Sequence, residues 1–322
     1  MRIAPSFARC ILLAICLGFL GIGCAIPESG HYIESDPPVA SNDASNGSSS
    51  SLGSWASSSA DQSRRTAESM AVERLFLFMP MPYDPETELP TIPPVEEVDF
   101  VSDDETALHG WHAHHDNPRA VILYCHGNAG NLTHRAPLLR ILNQYVGASV
   151  FVFDYRGYGK SEGRPSEGGL YADARAARAW LAEREGIAES DVVLMGRSLG
   201  GAVAIHLASE DGARALIIES TFTSVPDMAK LMMPNLPISG LLLNRFESID
   251  KIGDYEGPLF ASHGTADRTI PFEHGRQLFA AANDPKTFVP IERSDHNTPL
   301  RPAYYQRLAE FLDGLPTAGE IE

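Results

Sequence analysis

Cysteine is scarce in this chain, and its placement matters more than its number. Of four in 322 residues, Cys10, Cys16 and Cys24 fall near the amino terminus, which leaves Cys125 alone in the rest of the sequence. A framework built on disulfides is therefore excluded. Cys125 lies in the apolar run AVILYC and reads as a small core residue. Basic residues are also few, with 25 Lys and Arg against 42 Asp and Glu and a formal charge of −17. No basic stripe relieves that balance, which argues against a nucleic-acid partner, because phosphate backbones demand clustered Lys and Arg. There is no internal repeat. With 43% hydrophobic residues the chain has enough apolar material for a substantial core.

The longest apolar stretch, Cys10 to Gly23, comes after Arg2 and Arg9 and is shorter than a comfortable membrane span. Charge followed by an apolar run is the order of an export signal, which is expected over residues 1–23. Its end, LGIGCA at Leu20 to Ala25, resembles the lipobox of bacterial lipoproteins, with Gly21 where leucine is usual. The resemblance makes Cys24 the lipidation candidate and implies attachment to the cell envelope through an N-terminal anchor. Residues 24–70 read as a flexible tether, since Ser41 to Ser63 is rich in serine and poor in core-forming residues. The folded domain is expected over 71–322.

Within that domain, six apolar runs read as strands: Ala120 to Cys125, Ser149 to Asp154, Val192 to Met195, Ala215 to Glu219, Leu259 to His263 and Thr287 to Ile291. Helical patterns such as Leu170 to Arg184 lie between them. Continuous apolar strands alternating with helices predict a mostly parallel sheet covered on both faces. Ligands then collect beyond the carboxyl ends of the strands. Those ends run into HGNAGN (126–131), DYRGYGKSEG (154–163), GRSLGG (196–201), HGTADRTIP (263–271) and RSDHN (293–297). Together these segments supply Ser198, Asp267 and His296, in that chain order.

G-x-S-x-G at a strand-to-helix turn, with an acid and then a histidine after it, resembles the α/β-hydrolase superfamily. HGNAGN, DYRGYGKSEG, GRSLGG and HGTAD look most like its compact lysophospholipase-like and depalmitoylase-like branch, over roughly Ala71 to Leu315. The fold this implies is α/β, with helices on both faces of the sheet and at most a short lid.

Chemistry supplies a reason for each residue. A serine hydroxyl is a weak nucleophile until a base takes its proton, so Ser198 is paired with His296 as base and Asp267 as the acid that holds the ring. Gly196 and Gly200 are expected to permit the strained corner and close packing that expose Ser198. The backbone N–H groups of Leu199 and Asn128 are the oxyanion-hole candidates. Asp295 rivals Asp267, but adjacent side chains on a strand end point apart, which makes it a poor partner for His296. His263 and His274 read as structural, and His126 as a residue that shapes the oxyanion loop. In the pattern of the family it resembles, Asp154 and Arg156 read as a structural ion pair or loop lock. The cluster WHAHHD (111–116) could suggest a metal site, since alternate residues of a strand share one face, but it lacks a matching carboxylate or cysteine set and reads as a solvated strand end with no metal.

Between Glu219 and Phe246 lies an apolar, proline-broken segment. Met228, Met232 and Leu236 are its acyl-pocket candidates, with ordinary helix packing as the equal alternative. The sequence thus predicts a serine hydrolase acting on small-molecule or lipid-like esters or thioesters through an acyl-enzyme, without a cofactor. The alternatives are a peptidase or amidase of the same fold, or an envelope-tethered binding module.

Overall fold

The computed structural model describes Glu73 and residues 77–316, apart from 85, 87, 88, 92 and 236–241. The expected signal, its Cys24 and the tether lie outside the described residues, as does Leu236. No helix among the described residues is long and apolar enough to cross a membrane.

The chain opens with the short strand β1 (Met79–Pro80) and an antiparallel pair, β2 (Glu96–Val101) and β3 (Ala107–Ala113). Then come β4 (Val121–Cys125), β5 (Ala129–Gly130), α1 (Ala136–Arg140), β6 (Ser149–Asp154) and α2 (Glu167–Glu185). Next are β7 (Val193–Arg197), α3 (Leu199–Asp211), β8 (Ala215–Glu219), α4 (Val225–Met232) and α5 (Ser248–Lys251). The chain finishes with β9 (Leu259–Gly264), α6 (Phe272–Ala281), β10 (Lys286–Ile291) and α7 (Pro302–Asp313).

Eight strands form one sheet in the order β10-β9-β8-β7-β4-β6-β3-β2. From β10 to β6 the pairings are all parallel, and β3 and β2 add an antiparallel wing. Strand alternation divides the core between two faces. Val121, Leu123 and Cys125 of β4 pack with Leu170 and Ala174 of α2 and Val203 of α3. Ile122 and Tyr124 face Leu139 of α1 and Tyr304 and Leu308 of α7. Period two along the strand thus produces the two apolar faces that let helices cover both sides.

The expected strands are present with small changes of boundary, and the parallel fold is the one anticipated. The wing was not among the six, and its sequence explains why. EEVDFV alternates polar and apolar residues, while ALHGWHA carries two histidines and a glycine, yet Leu108 to Ala113 are all buried. Helix α2 begins three residues before the apolar periodicity because Ser166 caps it, its side chain accepting from the Gly169 N–H at 3.2 Å.

The strand order sets the place for a site. From β4 the chain moves to β6 on one side and later returns to β7 on the other. Connections therefore leave the carboxyl ends of β4 and β7 in opposite directions, opening a crevice between them. Ser198 comes directly after β7 at that crevice.

Candidate active site

Ser198 carries the backbone strain at the corner, with φ 54° and ψ −121°. For a non-glycine residue such a conformation costs about 1–3 kcal/mol and persists only when its surroundings impose it. The imposing bonds are the Ser198 N–H to the Glu219 carbonyl at 2.9 Å, and the Gly201 N–H to the Ser198 carbonyl at 3.0 Å. Of the two roles expected of the glycines, close packing is the one they play, because neither Gly196 nor Gly200 has positive φ. Their role is clearance. A Cβ on Gly196 would stand 2.1 Å from the Gly200 carbonyl oxygen, and one on Gly200 would stand 1.9 Å from that of Cys125.

Although Ser198 occupies the N-cap position of α3, its side chain makes no capping hydrogen bond. A capping role for this serine is therefore excluded. Half-buried at the end of β7, it stays accessible at the crevice.

Asp267 and His296 meet from two other loops. His296 Nδ1 lies 2.8 Å from Asp267 Oδ2. Asp267 Oδ1 meanwhile accepts the N–H groups of Thr269 at 2.9 Å and Ile270 at 2.8 Å. Burial alone would raise the carboxyl, but bonds from His263, His296 and Ile270 outweigh it and hold Asp267 well below the usual carboxylate range. The carboxylate is thus ionised and fixed, as an orienting partner for imidazole requires. Its rival is occupied elsewhere: Asp295 accepts from the Arg268 side chain at 2.7 Å and from the His296 N–H at 2.8 Å. His263 donates Nε2–H to the Ile270 carbonyl at 2.8 Å and stands 3.5 Å from Asp267 Oδ2, bracing the acid loop. His274 bonds the Thr223 hydroxyl at 2.9 Å, between α4 and α6. Both are structural.

Ser198 Oγ makes no hydrogen bond to a described residue in this conformation; such contacts are often long in unliganded sites and tighten around substrate. The serine corner is joined to the histidine loop by Arg197, whose guanidinium donates to the His296 carbonyl. Beneath them Tyr304 donates to the buried Glu219 carboxylate at 2.5 Å, tying α7 to the strand end that receives the Ser198 N–H. Arg197 and Glu219 were not among the sequence candidates. The available signal was a charged residue ending each of two otherwise apolar strands.

The HGNAGN loop closes the crevice. A Cβ on Gly127 would lie 3.5 Å from Ser198 Cβ, so this loop passes directly beside the serine. Asn128 is anchored through its side chain, which accepts from the Met79 N–H at 2.8 Å and the Tyr158 hydroxyl at 3.0 Å. Leu199, the first residue of α3, has an N–H with no intrahelical acceptor. His126 shapes the loop by donating Nδ1–H to the Gly127 carbonyl at 2.7 Å, which leaves Nε2 as a bare acceptor 3.6 Å from Asp154 Oδ1. Burial pushes His126 down to about 3 and Asp154 up to about 7, so the pair favours a neutral ring beside a protonated acid.

Of the two readings of Asp154 and Arg156, the ion pair between them is overturned, and each residue instead ties its own loop. Asp154 accepts instead from the Leu132 N–H at 2.7 Å, and Arg156 bonds Asp173 and Asp104, each at 2.7 Å. WHAHHD also departs from expectation. Trp111 and His112 are fully buried, only His114 and Asp116 are exposed, and the matching carboxylate arrives from α2 as Glu185. Strand neighbours in sequence cannot reveal a partner about 70 positions away.

The pocket candidates divide. Met228 is partly buried against the core, as ordinary helix packing, whereas Met232 is 55% exposed. Cys125 is buried and its thiol is pushed up to about 12 by burial, leaving it inert.

Residues 116–248 match a family model described as serine aminopeptidase, S33. An uncharacterized protein of Mycobacterium tuberculosis is 37% identical over 225 residues, covering 69% of this chain and 76% of that protein. WAV2, an alpha/beta hydrolase domain-containing protein of Arabidopsis thaliana, is 36% identical over 221 residues, covering 62% and 72%. Among solved structures, an esterase of Pyrococcus furiosus superposes with a TM-score of 0.62 at 19% identity, covering 74% of this chain and 98% of its own. With the parallel sheet, the strained serine corner and these relatives together, the chain belongs to the α/β-hydrolase superfamily.

Proposed function

We propose that this hydrolase cleaves carboxylic esters or thioesters through an acyl-enzyme formed on Ser198. The observation that carries the reading is the ionised Asp267 held 2.8 Å from His296 Nδ1, with His296 tied through Arg197 to the strained Ser198 corner. In the first half-reaction Ser198 Oγ attacks the carbonyl carbon while its proton passes to His296 Nε2. The carbonyl oxygen becomes an oxyanion, held by the N–H groups of Leu199 and Asn128. The bond to the leaving group breaks as His296 returns the proton to that oxygen or sulfur. Water then repeats the sequence: His296 takes its proton, the acyl carbon is attacked, and Ser198 recovers its hydrogen.

An apolar substrate is supported by the exposed Met79 and Met81, beside Ala129 and Gly130 of the HGNAGN loop, and by Leu231 and Met232, exposed at the end of α4. A second reading, amide cleavage, is favoured by the description of the matching family model. Hydrolysis of p-nitrophenyl esters of increasing acyl length, beside aminoacyl p-nitroanilides, separates the two. The expected result is ester turnover by the full chain, lowered about 10⁴-fold or more in S198A at unchanged melting temperature. Turnover of the anilides alone moves the assignment to a peptidase, and ester turnover surviving in S198A overturns the serine mechanism. Attachment through a lipidated Cys24 is part of the same proposal. Mass spectrometry of the mature amino terminus tests it, and a mature chain with unmodified Cys24 refutes it.

A further inference from the structure

At the amino ends of the parallel strands, away from Ser198, His112, His114 and Glu185 come together as the one group of possible metal ligands found among the described residues. His112 and His114 are two positions apart at the end of β3, and Glu185 is the last residue of α2. Glu185 Oε1 is 2.8 Å from His112 Nε2 and 2.9 Å from His114 Nδ1. His112 and Glu185 have side chains 1% and 5% exposed, whereas that of His114 is 52% exposed and leaves a way in from solvent.

Hydrogen bonding alone leaves this group unbalanced. A carboxylate oxygen only accepts, so His112 must carry its proton on Nε2 to bond Glu185. In a neutral ring that makes Nδ1 a bare lone pair. Nδ1 is buried without a partner, and the nearest carboxylate oxygen, Glu96 Oε2 at 3.7 Å, is another acceptor. A cation between the three side chains reverses the tautomer. Nε2 becomes a ligand, the proton moves to Nδ1, and Nδ1–H points toward Glu96, the carboxylate–histidine–metal arrangement that orients ligating imidazoles. Arg184 already holds Glu96 in place at 3.0 Å.

We propose that His112, His114 and Glu185 bind one divalent cation of the zinc class, joining the carboxyl end of α2 to β3. Two imidazoles and a carboxylate suit such a cation, with water as fourth ligand, whereas calcium and magnesium prefer oxygen throughout. Donors around a tetrahedral zinc are about 3.4 Å apart; each imidazole need move only about half an ångström from Glu185, and the two ring nitrogens already lie within 4.8 Å of each other. The site is distinct from the crevice. His112 pairs in register with Phe151 near the start of β6, and Ser198 lies beyond the opposite end of the parallel strands.

The experiment uses untagged full-length protein freed of metal by a chelator. Zinc is titrated by calorimetry and by thermal melting, and cobalt by its visible absorption. The expected result is one equivalent of zinc bound, a melting temperature raised by about 5 °C or more at high occupancy, and the intense d–d bands of tetrahedral cobalt. H114A, which removes an exposed side chain, should weaken binding at least about tenfold and abolish the bands; E185Q should do the same. Absence of stoichiometric binding overturns the proposal, and so does binding that is equally tight in H114A, which would mark it as adventitious. H114A keeps the test decisive where E185Q fails to fold.

Discussion

At the carboxyl ends of β4, β7 and β9 the chain turns out of the sheet in loops whose strain and main-chain donors gather around Ser198. At the opposite edge of the sheet, where β3 ends beside the start of β6, His112, His114 and Glu185 meet with regular backbone, as side chains on a strand and a helix end. Ser198 is held at φ 54° by two main-chain hydrogen bonds, and its helix starts beside it with unpaired N–H groups. The other group contributes only imidazole and carboxylate. A parallel sheet thus offers developing charge a field of oriented backbone dipoles at one edge. At the other edge, ligation depends on which side chains the sequence places there.

The sharpest test of that contrast is D267N. An amide donates as well as accepts, so the orientation of His296 fails, and kcat should fall about 10⁴-fold. D295N, which touches only the Arg268 bond and the His296 N–H, should lower kcat less than about tenfold. A larger loss in D295N than in D267N would exchange the roles of the acids.

G200A tests whether the corner depends on clearance. Its methyl group would meet the Cys125 carbonyl, a backbone atom that cannot swing aside, and urea denaturation should record a loss of about 3 kcal/mol or more. A cost below about 1 kcal/mol would mean that the β4–β7 junction is more pliant than its geometry implies.

A smaller effect is expected from Asp154. Its carboxyl is raised from 3.8 to about 7 by burial, so between those values the folded protein keeps a proton that the unfolded chain has lost. Wild-type stability should fall as pH rises through that window. D154N has no such proton, and its stability relative to wild type should rise over the same window by a few kcal/mol at most. A pH-independent difference would place Asp154 in a more solvated setting.

The smallest effect separates the two edges. Chelation of metal should lower the melting temperature while leaving kcat for ester hydrolysis unchanged. A parallel loss of kcat would show that the edges are coupled.

How much of this was legible depended on sequence distance. GRSLGG, HGTAD and RSDHN made Ser198, Asp267 and His296 the candidates, because a nucleophile corner needs small residues at fixed offsets and each strand end is a local pattern. The preference for Asp267 over Asp295 was also a local reading, from the alternation of side chains, and His296 Nδ1 lies against Asp267. Arg156 was paired with its sequence neighbour Asp154, yet its partners are Asp173, one helix away, and Asp104. The β2–β3 wing was missed because burial there is imposed by neighbours such as Phe151, which packs over Gly110, and not by a hydrophobic run.

The sequence by itself determined the alternation of strands and helices, the parallel sheet that results from it, and the order of the three candidate catalytic residues, since all are encoded within short windows. Only the tertiary structure decided that the positive φ falls on Ser198 and on neither glycine beside it. It also decided that Arg197 reaches the His296 loop and that Glu185 completes a ligand set with His112 and His114. Those facts depend on distances between segments remote in the chain, and they exist only once the sheet and its helices have packed.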